Sequence, residues 1–217
     1  MVSVRKASSD LSKWESLLPS LSNGQIEIDS VEIITTDPVV DDYPYPNQRS
    51  LKSEFVYKTK NPFDETIERE YSGRLVYRED SNIVLITVEA DTPSSTEVVQ
   101  KLEQILPQDV EIYPGLYPTR QAIWDFIEEA DSVHQIEILF QNSLYPYDEI
   151  EGVDPSEIVG EYIVERADIV FNYEGVDINV TYTDDSLHIT PDENGPDIEN
   201  QIEYVIQIFE KEVIFNE

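Results

Sequence analysis

The chain of 217 residues has no cysteine, which excludes disulfides, thiolate metal sites and cysteine nucleophiles together. Glycine is scarce, and its seven copies are scattered. They form neither a Gly-x-Gly-x-x-Gly phosphate loop nor a Gly-x-Ser-x-Gly hydrolase elbow. The two histidines, His134 and His188, lie too far apart for a His-Glu-x-x-His zinc helix. No apolar run approaches the roughly 20 residues needed to span a bilayer. No cationic leader followed by an apolar stretch opens the sequence. These absences predict a soluble, cytoplasmic protein that is not inserted in a membrane and carries no cofactor.

Positive charge is short as well: 14 Lys plus Arg face 46 acids, for a net charge of −32. Hydrophobic content of 40%, with 13 tyrosines and 7 phenylalanines, still argues for a folded chain rather than an acidic disordered tail. Two readings of the acidity compete. In one, the whole surface is acidic because the protein works in concentrated salt, where the Debye length falls to about 3 Å and self-repulsion is nearly abolished. In the other, carboxylates mimic phosphates and occupy a nucleic-acid-binding protein. A mimic concentrates its charge, whereas salt adaptation spreads it. Residues 1–110 hold 20 acids and 11 bases, and residues 111–217 hold 26 acids and 3 bases. Both halves are acidic, lysine is rare throughout, and the acids are scattered among all predicted elements, which favours salt adaptation.

Each of the two tryptophans leads into the same tetrapeptide: Trp14 precedes Gln25-Ile26-Glu27-Ile28, and Trp124 precedes Gln135-Ile136-Glu137-Ile138. Such self-similarity is the mark of a repeat. Around it, Leu11, Trp14, Leu17, Leu18 and Leu21 recur at helical spacing from Asp10, with Ser9 or Ser12 as cap; Pro19 and Asn23-Gly24 then end the helix. Strands are predicted over 26–33, 51–58, 71–77 and 83–88, and Ser94 with Glu97 caps a helix bearing Val98, Val99, Leu102, Ile105 and Leu106 before Pro107. Val110 and Ile112 suggest a short strand. The second half replays this order from a helix starting at Pro118-Thr119, through strands at 136–140, 169–173 and 176–182, to a last helix and a short strand at Val213 and Phe215. Tyr145-Pro146-Tyr147 echoes Tyr43-Pro44-Tyr45, and Glu161-Tyr162 echoes Glu70-Tyr71.

The expected fold class is therefore α+β, a tandem duplication of a ~100-residue helix–strand–(antiparallel strands)–helix–strand unit with pseudo-two-fold symmetry. Repeat A covers 1–112, a linker 113–118 and repeat B 119–217. Trp14 and Trp124 are assigned to the cores.

Candidate chemistry is sparse. His188 near Asp184, Asp185 and Asp192 has metal-ligand character, and Asp192, Asn194 and Asp197 around Gly195 faintly resemble a calcium loop. The glycine comes one position early and no bidentate Glu follows, so a solvated loop leading to a helix capped by Asp197 is preferred, and no metal ligand is assigned. His134 is read as a turn or surface residue. Arg49, Lys52, Lys58 and Lys60, interleaved with Phe55 and Tyr57, form the only basic stretch; it is read as a strand whose polar face pairs with neighbouring acids, which makes direct nucleic-acid binding an unfavoured reading. No catalytic residue is assigned. The paired loops carrying Tyr43, Tyr45, Tyr145 and Tyr147 are the candidate binding residues, because tyrosine is enriched at interface hot spots; the competing reading has their rings plugging the cores. The expected function is a non-catalytic protein-binding or accessory protein of a high-salt-adapted (haloarchaeal or haloviral) cytoplasm, with a protein partner. The alternatives are an acidic DNA-mimic inhibitor and, third, a metal-dependent enzyme.

Overall fold

The computed structural model describes residues 1–8, 11–18, 25–61, 64–88, 95–104, 106, 110–149, 158–183 and 186–216. Ser9, Asp10, Pro19, Leu21, Asn23, Gly24, Ser94, Ile105, Pro107, Asp184 and Asp185, which figured in the sequence expectations, lie outside these residues. Internal contacts divide the chain into two compact units, Met1–Asp37 with Asn47–Pro114, and Pro38–Pro46 with Gly115–Glu217.

The first unit runs β1 (Val2–Ser8), α1 (Leu11–Leu17), β2 (Ile26–Thr35), β3 (Arg49–Asn61), β4 (Asp64–Arg78), β5 (Ile83–Val88), α2 (Ser95–Glu103) and β6 (Glu111–Ile112). Its strands lie in the order β2-β3-β4-β5-β1, with β6 also on β1, and these pairings are antiparallel. Leu11 and Trp14 of α1 and Leu18 just beyond it are buried with Leu51, Phe55, Tyr57, Leu75 and Tyr77 of β3 and β4. The helical spacing of the first set and the period-2 spacing of the second turn one apolar face of each element inward. Trp14 stacks on Tyr77 with ring centroids 5.2 Å apart. Gly73 sits under the Phe55 ring, where a Cβ would collide with the ring carbons and come within 2.7 Å of the Thr87 carbonyl oxygen.

The second unit runs α3 (Arg120–Glu128), β7 (Ser132–Phe140), β8 (Ser143–Pro146), β9 (Val164–Tyr173), β10 (Val176–Thr183), β11 (Ser186–Thr190) and α4 (Ile198–Phe209), continued by a π-helical turn at Glu210–Ile214. Its strand order is β8-β7-β9-β10-β11, again antiparallel. Thr119 caps α3 by accepting from the Ala122 N–H, as the Pro118-Thr119 start predicts. Phe126 of α3 meets Phe171 of β9 at 5.2 Å and Phe209 of α4 at 5.3 Å, which joins both helices to the sheet. Trp124 is buried as expected, and its indole N–H donates to the Tyr162 carbonyl at 3.0 Å. Glu174 and Gly175 turn the β9–β10 hairpin, both with positive φ (53° and 84°), the conformation a two-residue hairpin loop needs.

This architecture corrects the expected fold class. Among the described residues eleven strands hold 47% and helices 23%, so the protein is mostly antiparallel sheet rather than a helix–strand α+β duplication with pseudo-two-fold symmetry. Several proposed correspondences fail. Val110 and Ile112 flank or lie in β6, whereas Val213 and Phe215 belong to a helical end. Val205, Phe209 and Val213 are spaced by four, so the apolar pattern continues α4 and is not a strand alternation. Glu70-Tyr71 lies inside β4, but Glu161-Tyr162 lies in a turn before β9. Strand β1 precedes α1, a strand that the duplicated unit does not contain.

Candidate functional site

The surface feature that stands out is in the second unit, on the β7–β8 hairpin. Gln141 and Asn142 both have positive φ (50° and 64°), which makes a two-residue turn and fixes the pairing Phe140↔Ser143, Leu139↔Leu144, Ile138↔Tyr145 and Glu137↔Pro146. Ile138 points into the core with Ile136. Its neighbour Leu139 therefore faces the opposite side, together with Leu144 directly across from it. On the other flank the Leu139 N–H donates to the Ile163 carbonyl at 3.0 Å, and Ile163 precedes Val164, which pairs with Ile138. The result is a row Leu144–Leu139–Ile163 across three chain segments, with Leu144 57% and Ile163 46% exposed.

On the opposite face of the hairpin, the side of Ile138, lies an aromatic cluster, because Tyr145 pairs directly with Ile138 and Phe140 follows Ile138 by two residues. Tyr145, 42% exposed, meets Phe140 edge-on at 6.0 Å, and Phe140 lies 5.6 Å from Tyr162. Tyr147 packs edge-on against Trp124 at 6.3 Å, and its N–H donates to the Ile136 carbonyl. Tyr145 is thus on a strand and not in a loop, and it is the candidate tyrosine most open to solvent.

Tyr43 and Tyr45 are placed elsewhere in the same unit. Gln207 of α4 accepts from the Val39 and Val40 N–H groups at 2.7 and 3.1 Å, and holds its own amide on Glu203. The Tyr43 hydroxyl donates to the buried carboxylate of Glu210, and its ring is buried. Tyr45 stands edge-on between Tyr43 and Phe215, at 5.9 and 6.0 Å. The structure thus brings Tyr43 and Tyr45 together on the carboxyl-terminal helix, and Tyr145 and Tyr147 together near α3 and β7. Tyr43 fits the reading in which a ring fills the core.

The acidic candidates carry local structure. Asp192 accepts from the Asn194 N–H, Asp197 caps α4 by accepting from the Asn200 N–H, and Gln201 bridges Asp192 and Pro196. His188 lies on β11, not in a loop, with its Nε2 2.8 Å from the Ser186 hydroxyl. Among the described residues no group of three or more His, Asp or Glu is placed to hold a metal ion. His134 is an exposed residue at the irregularity between Val133 and Gln135 on β7. On the same sheet, Asp168 accepts from Arg166 Nε at 2.9 Å and from the Thr181 hydroxyl at 2.7 Å. Burial works to raise the Asp168 pKa, but these two hydrogen bonds together with the nearby charges of Arg166 and His134 outweigh it and hold the carboxyl below its ordinary value.

In the first unit the basic stretch is engaged with acids. Lys58 Nζ lies 3.0 Å from Glu27 and 3.8 Å from Glu70, Lys52 lies 3.8 Å from Glu32, and Arg49 lies 3.5 Å from Glu79. Sequence reasoning missed Leu144 and Ile163. The only signal for Leu144 was a four-residue alternation ended by Pro146, shorter than a pattern that identifies a strand. Among the described residues no helix is long and apolar enough to cross a membrane. Comparison with protein-family models finds no match, and comparison with curated proteins finds no similar sequence.

Proposed function

We propose that this is a non-catalytic binding or accessory protein of a salt-adapted cytoplasm, haloarchaeal or haloviral, that engages a protein partner through the second unit. One observation carries the reading: Leu144 and Ile163 are exposed on one face of the β7–β8 sheet edge and Tyr145 on the other, so this edge offers apolar side chains on both faces within a unit of 27 acids and 3 bases. Apolar anchors in so acidic a unit suit a basic protein surface with apolar side chains. The anchors supply contact area, and the charges steer the encounter and select the partner. Of the four tyrosines first singled out, Tyr145 is the residue assigned to contact; Tyr43, Tyr45 and Tyr147 support the unit from within.

The test is a photo-crosslinking amino acid placed at Tyr145 and, as a control, at Tyr117, which is 65% exposed and lies outside the hairpin. In salt-grown cells the Tyr145 probe should yield a discrete protein adduct that the Tyr117 probe does not. Equal labelling at both positions contradicts the proposal.

The same concentration of acid favours a second reading, a DNA-mimic inhibitor. Its partner would then be a nucleic-acid-binding protein, and duplex DNA should displace it from this chain. Failure of DNA to compete with the crosslinked partner rules this reading out and leaves the first intact.

A further inference from the structure

Strand β2 is the outermost strand of the first unit among the described residues, and it is ten residues long. The direction of its backbone groups follows from two hydrogen bonds. Thr36 N–H donates to the Gln48 carbonyl at 2.9 Å, and the register continues as Thr35↔Arg49, Ile34↔Ser50 and Ile33↔Leu51. Because bonded and unbonded pairs alternate in an antiparallel ladder, Ser30, Glu32 and Ile34 address β3, while Val31, Ile33 and Thr35 turn their N–H and C=O groups outward. Below the irregularity at Asp29, the bond from Lys58 N–H to the Gln25 carbonyl sets the opposite parity and turns Ile28 outward.

The side chains add a charge pattern. A row runs Glu70–Lys58–Glu27 from β4 through β3 to β2, and a second runs Lys52–Glu32 from β3 to β2. Both rows end on an acid at the open edge, with Glu27 and Glu32 exposed and no base on β2 itself. The other face of the strand offers Ile28 and Val31, packed on the core, and Ile33, 39% exposed.

We infer that β2 accepts an additional strand from another protein, and that this strand carries basic residues on one face and aliphatic residues on the other. Edge pairing supplies the main-chain bonds, and the side-chain rows select the occupant. Glu27 and Glu32 face Val56 and Lys52 of β3, four residues apart, so the matching bases on the incoming strand fall at positions i and i+4. A second copy of this chain is disfavoured as occupant, since it would set Glu27, Asp29 and Glu32 against like charges. The same acids therefore reject self-pairing and admit a basic strand. This surface is distinct from the Tyr145 hairpin, and either can fail without the other.

The probe is a capped peptide, Lys-Val-Thr-Val-Lys-Val-Thr, with a Glu-for-Lys version as control, used at the lowest salt in which the protein is fully folded. Amide hydrogen exchange should slow at least tenfold at Val31 and Ile33 on saturation, with no change at Glu32 and Ile34, which are already bonded to β3. Ile33→Pro removes one outward N–H and should abolish peptide protection. If that variant fails to fold, the paired change Glu27→Lys with Glu32→Lys provides the second test, and should switch preference to the glutamate peptide. Absence of protection at Val31 and Ile33, equal binding of both peptides, or no switch in the charge-reversed protein would overturn the inference.

Discussion

The first unit places 11 bases among 19 acids, and the second places 3 bases among 27. In the first, Lys52 and Lys58 reach acids on neighbouring strands and Arg49 reaches Glu79 in the turn after β4, so its exposed charge is partly compensated. In the second, Arg166 is bonded to Asp168 and Lys211 lies beside Glu212, while carboxylates on the loops and helices have few bases to meet. Similar antiparallel construction thus supports two electrostatic regimes. Cores built from Trp, Tyr, Phe and aliphatic residues supply the folding free energy in both, and the acid excess is a surface property laid over them. What differs is how each unit should respond to salt and to partners.

The largest single-site effects should come from the two cores. Trp14→Ala and Trp124→Ala should each cost about 3–5 kcal/mol in denaturant unfolding. The softer change to Phe separates the units. Trp124→Phe forfeits the bond to the Tyr162 carbonyl, while the Trp14 indole N–H has no hydrogen-bond partner among the described residues. Trp124→Phe should therefore be the more destabilising by about 1 kcal/mol. Equal costs would show that the bond contributes nothing.

Two glycines sharpen the contrast at a lower level. Gly73→Ala must push against the Phe55 ring and the Thr87 carbonyl, and should cost about 1–3 kcal/mol, partly recovered by Phe55→Leu in the same chain. Gly175 has open space for a Cβ but a φ of 84°, so Gly175→Ala should cost about 1–2 kcal/mol with no rescue by trimming a neighbour. Melting the single and double variants distinguishes a steric requirement from a conformational one.

The pH response should differ in sign. Burial, aided by the hydrogen bond to Glu97, pushes the Tyr57 hydroxyl up to about 12 from 10.0. Its contribution is present below pH 10 and is lost as pH rises toward 12, so Tyr57→Phe should flatten the alkaline fall in first-unit stability. Asp168 is held below its ordinary 3.8, so its contribution is present above that pH and is lost as pH falls through the lowered value; Asp168→Asn should flatten the acid limb of the second unit. Smallest of all, Lys58→Ala at the exposed row should change stability by about 0–1 kcal/mol.

Much of the element pattern was legible in the residues. Clean alternation at Ile169, Phe171 and Tyr173, and again at Val176, Ile178, Val180 and Tyr182, identified β9 and β10, while the spacing of Trp14 and Trp124 with their neighbours identified buried helix faces. The misses have physical causes. Strand β1 packs Arg5 as well as Val2 and Val4, so a buried charge masked its pattern. Strand β11 alternates Leu187 and Ile189 with Ser186, His188 and Thr190 in an acid-rich stretch, where a polar loop was the readier reading. Spacing alone could not separate a strand at Val213 and Phe215 from a helix that simply continues. Of the candidate surface, Tyr145 was visible from composition, whereas Leu144 and Ile163 gained meaning only through the register with Leu139.

Each unit contains one tryptophan, which makes the central contrast measurable in a single protein. Thermal unfolding would be followed by fluorescence in Trp14→Phe, where Trp124 reports the second unit, and in Trp124→Phe, where Trp14 reports the first. Between 0.1 M and 1 M salt the Debye length falls from about 10 Å to about 3 Å, which removes most repulsion between exposed carboxylates. The midpoint seen by Trp124 should rise markedly over this range, and that seen by Trp14 should rise much less. Salt-independent midpoints, or the same rise in both, would contradict the account in which uncompensated carboxylate repulsion sets the salt response and is larger in the second unit.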